Sequence, residues 1–89
     1  MKVRETELKG GDNVSITFDF SKLKGLIREN KLTQAEFATG IGISATQLYE
    51  RFNNKVPFDT VEIELAMRLF NLPNKMIHEV FFVKEEEKS

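Results

Sequence analysis

The stretch from Thr33 to Asn54, TQAEFATGIGISATQLYERFNN, constrains this chain more than any other. It carries two helix-start signals in succession: Thr33 is followed three residues later by Glu36, and Ser44 by Gln47. In each pair the hydroxyl can accept from the later backbone N–H while the later side chain reaches back, which satisfies the open donors of a new helix. Gly42 lies between them, and glycine takes the left-handed conformation that ends a helix at little cost. Phe37, Ala38 and Ile41 share one helical face, and Leu48 and Phe52 share another. The spacing predicts two short helices joined by a tight turn. Ala45, Thr46, Gln47, Tyr49, Glu50 and Arg51 are left pointing mostly outward. A helix that offers small and hydrogen-bonding side chains from its first turn, braced behind by apolar ones, suits a DNA major groove.

This stretch resembles the helix-turn-helix of the Cro and CI phage-repressor superfamily, also called the xenobiotic-response-element type. The matching residues are Gln34, Phe37-Ala38, Ile41-Gly42-Ile43, Ser44, Leu48 and Asn53. Ala38 stands where that motif has a small residue, so that the two helices can cross closely. Arg51 departs from the pattern, which has an apolar residue there, and Phe52 follows immediately. Two outcomes are open: Phe52 takes over the core contact, or Arg51 buries its stem and sends its charged head outward.

A length of 89 residues favours one domain with a modest core. The chain has no Cys, which excludes a disulfide framework and a thiolate metal site, and its single His78 cannot build a His-rich one. No Ser-His-Asp set or Gly-rich phosphate loop is present, so an enzyme is not expected, nor a metal, cofactor or small-molecule ligand. Asp59 and Glu62 read as a helix cap rather than an acid–base pair. The eight Phe read as core rather than as a stacking platform. No apolar run reaches membrane-span length and no signal-peptide pattern opens the chain, so a cytoplasmic protein without membrane partners is expected. Net charge is −1, unlike that of a typical DNA binder. Its distribution is uneven: Lys22, Lys24, Arg28 and Lys31 precede the motif and Lys55 follows it, whereas Asp59, Glu62, Glu64 and Glu85 to Glu87 gather later.

Residues 1–13 read as a charged leader or as the first arm of a hairpin, with a turn at Gly10-Gly11-Asp12-Asn13. Val14, Ile16 and Phe18 alternate with polar residues, as a strand does. A first helix is predicted from Ser21 to Asn30, capped by Asp19 or Ser21, with Phe20, Leu23, Leu26 and Ile27 inward and Gly25 allowing close packing. After Pro57, Asp59 and Glu62 cap a further helix to Phe70, with Val61, Leu65, Ala66, Leu69 and Phe70 along its core face. Ile63 and Met67 extend its apolar surface sideways. A short helix follows over Asn74 to Glu79. The run Val80-Phe81-Phe82-Val83 is rich in strand formers and is expected to pair with residues 14–18, the alternative being a last helix that continues through Phe82. Residues 84–89 read as a charged tail.

The segment FDFSKLKGLIREN and the ending HEVFF add a closer resemblance, to a group of short phage-encoded members of the same superfamily whose function is unknown. The resemblance implies a mainly α, lambda-repressor-like five-helix domain over residues 14–83, to which the strand reading adds a small antiparallel sheet from residues 14–18 and 80–84. It implies a sequence-specific regulator that lays helix 44–53 in the major groove of a double-stranded operator. Ala45, Thr46, Gln47, Glu50 and Arg51 are then the candidates for base contact. Thr33, Gln34, Tyr49, Asn53 and Lys55, with Lys22, Lys24 and Arg28, are the candidates for the backbone. One such domain spans few base pairs, so a homodimer is expected, joined through Ile63, Met67, the last helix or Phe81-Phe82. The rival reading keeps the fold as a protein-interaction module, an antirepressor or antitoxin, without DNA binding.

Overall fold

The computed structural model describes residues 16–85, so the expectations for the leader, for Val14 and for the end of the tail lie outside the described residues. Helix α1 runs over Ser21–Glu29, α2 over Gln34–Gly40, α3 over Ala45–Phe52 and α4 over Thr60–Phe70. A 3₁₀ turn at Asn74–Met76 leads into α5, Ile77–Phe81. The fold is mainly helical, and no helix among the described residues is long and apolar enough to cross a membrane.

The helix starts follow local chemistry. Thr33, Ser44 and Asp59 each cap their helix in a complete reciprocal box with Glu36, Gln47 and Glu62. Phe20 holds the cap position of α1 and makes no side-chain cap bond. Asp19, one residue earlier, instead accepts from the Ser21 amide (2.9 Å) and hydroxyl (2.6 Å) through Oδ1.

The first four helices also end alike. In each, an amide donates back across the last turn: Leu32 to the Ile27 carbonyl, Ile43 to Ala38, Lys55 to Glu50 and Leu72 to Met67. The residue before each donor is left-handed: Lys31 (φ 61°), Gly42 (84°), Asn54 (62°) and Asn71 (58°). This closure satisfies carbonyls that the helix itself leaves open. Glycine and asparagine suit the position, and Lys31 holds it at a cost.

One core gathers Leu23 and Ile27 of α1, Phe37 and Ala38 of α2, Leu48 of α3, Ile63, Ala66, Met67 and Phe70 of α4, and Val80 and Phe81 of α5. All eight Phe are buried in it or packed against it. Phe37 stacks on Phe70 with centroids 5.5 Å apart, which fastens α2 to α4. Full burial of a side chain such as Phe37 or Leu48 stabilises by about 1.5–3 kcal/mol relative to exposure.

The structure corrects several expectations. Helix α4 is turned from the predicted face: Val61 is 64% exposed and Leu69 41%, while Ile63 and Met67 are buried. Glu62 faces inward to a partner on α3, and positions 63 and 67 join the expected 66 and 70 in the core. Ile63, Met67 and Phe81 are therefore consumed by the monomer's core and have no surface to offer a dimer. No sheet forms among the described residues. The two ends meet in one antiparallel bridge, Phe18 with Lys84, flanked by bonds from Asp19 N to Val83 O (2.7 Å) and from Glu85 N to Thr17 O (3.0 Å). Val80 and Phe81 are helical, because burial of both in the core outweighs their strand propensity. Gly25 permits no close approach: a Cβ there would meet only Arg28 Nη2, at 3.9 Å.

Candidate nucleic-acid interface

The α2–turn–α3 unit is built from its own hydrogen bonds and then held from behind. Glu36 N–H donates to Thr33 Oγ1 (3.0 Å) and Thr33 N–H to Glu36 Oε1 (2.9 Å). Gln47 N–H donates to Ser44 Oγ (3.0 Å) and Ser44 N–H to Gln47 Oε1 (2.8 Å). Leu48 is buried under α3, and Phe52 packs half-buried on Phe20 and Phe58, with centroids 5.8 and 6.2 Å away.

That bracing leaves Ala45, Thr46, Gln47 and Tyr49 exposed on α3, Tyr49 by 64%. Glu50 is half-buried beside them. Gln47 keeps its carbonyl oxygen in the cap, so its amide group is oriented by Ser44. Asn53, at the end of α3, is exposed and donates from Nδ2 to the Tyr49 carbonyl (2.8 Å). Lys55 is exposed just beyond. At the start of α2, Gln34 is exposed, while the hydroxyl and N–H of Thr33 are both engaged with Glu36.

Arg51 is not presented with the others. Its Nε donates to Glu62 Oε1 (2.8 Å) and its Nη2 to Glu62 Oε2 (3.1 Å), a two-pronged contact from α3 to α4. Its Nη1 donates to the Gln47 carbonyl (3.1 Å). The two side chains are 11% and 7% exposed. Of the two outcomes left open at Arg51, the first is met, since Phe52 joins the packing, and the second is not, since the arginine head turns inward to Glu62 rather than outward. Hydrogen bonding to Glu62 holds the guanidinium above its ordinary pKa. Its departure from an apolar pattern was the signal for a largely covered cation in need of an acid, which the fold supplies as Glu62. Reading Glu62 only as a cap missed that partner.

The basic residues of α1 divide. Lys24 lies over the Phe52 ring, 5.0 Å from its centroid, close to the end of α3. Lys22 reaches Glu79 of α5 at 3.9 Å, and Arg28 is exposed. A second anchor was not legible at all. Asn54 Oδ1 accepts from Phe18 N–H (2.8 Å) and its Nδ2 donates to Phe18 O (3.1 Å), so one side chain fastens the end of α3 to the amino-terminal segment. Among the described residues no group of three or more acidic or histidine side chains could hold a metal ion.

The model of a family described as protein of unknown function (DUF739) matches residues 16–85. No curated protein matches the chain.

Proposed function

We propose that this chain, which belongs to the DUF739 family, is a sequence-specific DNA-binding transcriptional regulator of the phage Cro or CI kind, with a lambda-repressor-like helix-turn-helix fold. The observation that carries the proposal is the state of α3. Leu48 holds it from behind, its own capping box fixes its start, and Ala45, Thr46, Gln47 and Tyr49 face solvent together. In the major groove, Gln47 pairs with an adenine edge and Thr46 with either base type. The Ala45 or Thr46 methyl packs on thymine, and Glu50 accepts from a cytosine amino group. Gln34, Tyr49, Asn53, Lys55, Lys24 and Arg28 take the backbone. Arg51, expected to pair with guanine, reads no base while Glu62 holds it.

One domain covers too little sequence for selection in a genome, so the regulator acts as a two-fold dimer on half-sites about 34 Å apart. Its contact must come from apolar side chains still exposed, among which are Val61 and Leu69 of α4. A monomer by sedimentation, both free at high concentration and on DNA, removes the dimer.

A second reading has a specific observation in its favour. The sole cation of α3 is Arg51, and Glu62 pairs with it, so α3 brings no unpaired positive charge to a duplex. An interaction module on the same fold, with Tyr49 as its anchor, fits that surface. Binding to a random duplex at low salt, followed through rising salt, separates the two. The regulator binds and weakens steeply with salt. The interaction module shows no binding at low salt.

A further inference from the structure

Glu62 serves two helices at once. Its Oε1 accepts from the Asp59 amide (3.2 Å), closing the cap of α4, and from Arg51 Nε (2.8 Å), holding α3. Its own N–H donates to Asp59 Oδ1 (2.8 Å). Arg51 in turn grips the Gln47 carbonyl one turn back along α3 (3.1 Å). The guanidinium plane is thus set against the axis of α3 by one bond and against the first turn of α4 by two. Hydrophobic contact alone lets one helix roll on another, whereas a planar fork on a planar carboxylate admits one rotation. Stability is a poor reason for such a pair, since apolar side chains of similar volume often serve as well or better.

We infer that the Arg51–Glu62 pair is a positioning device that sets the rotation of α3 on α4, and so decides which α3 side chains face a partner. The inference rests on the DNA reading for its partner but not for its geometry. Arg51 and Glu62 touch no base. They act through Gln47 and Thr46, one turn closer to the start of α3.

The test uses the full chain with both residues exchanged for methionine, Arg51→Met with Glu62→Met, and compares two readouts with the parent. The chain has no cysteine, so spin labels go only where Thr46→Cys and Arg68→Cys place them, one on α3 and one on α4. In the methionine pair the label-to-label distance is expected to shift or broaden while the melting temperature is kept. For the second readout, the parent first selects its preferred duplex from a random-sequence library. The affinity ratio of that duplex to a scrambled one is expected to fall about tenfold in the methionine pair, the scale of one lost base contact, with scrambled binding held. A folded methionine pair with the parent's distance distribution and ratio overturns the inference. So does an equal loss on both duplexes with an unchanged distance. If the parent selects no duplex, the DNA reading fails, and the spin-label distance still decides the positioning role. Should the methionine pair not fold, Arg51→Lys replaces it, keeping the charge without the fork, and is judged by the same two readouts.

Discussion

The two ends of α3 are secured in opposite ways. At its start, Ser44 and Gln47 exchange two hydrogen bonds across three residues, and Gly42 turns the chain just before them. At its finish, Arg51 reaches Glu62 eleven residues on, and Asn54 reaches Phe18 thirty-six residues back. A cap between near neighbours costs little chain entropy to form, so it is nearly independent of the rest of the fold. A bond across a long loop exists only after the fold has brought its ends together. The start of α3 is therefore a local property, and its finish is a property of the packed molecule. That asymmetry places the exposed flank of Ala45, Thr46 and Gln47 at the locally built end and its fastening at the other.

Glu62→Ala tests the long-range end most severely. It strands the buried Arg51 charge and opens the α4 cap, so urea unfolding should show a loss of about 3–5 kcal/mol. A loss below about 1 kcal/mol would rank the junction with ordinary surface pairs and undo the contrast. Asn54→Gly sharpens it, because glycine keeps the left-handed backbone and removes only the two bonds to Phe18. A loss of about 1–3 kcal/mol is expected, with faster amide exchange at Phe18.

At the local end, Ser44→Ala should cost about 1 kcal/mol and leave the contacts of α4 with the core unchanged by NMR. Gly25→Ala should raise stability by about 0.4–1 kcal/mol, since nothing approaches the added methyl closely and the helix gains a better former. The Glu64–Arg68 pair on the exposed side of α4 supplies the lower bound. Glu64→Gln should move the urea midpoint by no more than about 0.5 kcal/mol of stability, with even that lost in high salt.

Much of the candidate site was legible before the fold. The boxes at Thr33, Ser44 and Asp59, the turn at Gly42 and the inward Leu48 each follow from residues three or four apart. Where reading failed, a distant partner had intervened. Val61 and Leu69 looked inward on α4 by apolar spacing, yet Glu62 takes the inward place because Arg51 waits there. Val80 and Phe81 looked like strand, yet a helix buries both against the core. Asn54 gave no signal, because an asparagine after a helix reads as a terminator whether or not it reaches Phe18.

Short-range pattern alone settled where the middle helices begin, where α2 ends, and which small polar side chains lead α3. Those outcomes depend on hydrogen bonds whose partners are near neighbours in the chain. Packing decided the roll of α4, the inward turn of Arg51 and the helical fate of residues 80 and 81. Each of these depends on partners remote in sequence, a carboxylate for Arg51 and the apolar core for residues 80 and 81, and such partners exist only in the assembled molecule.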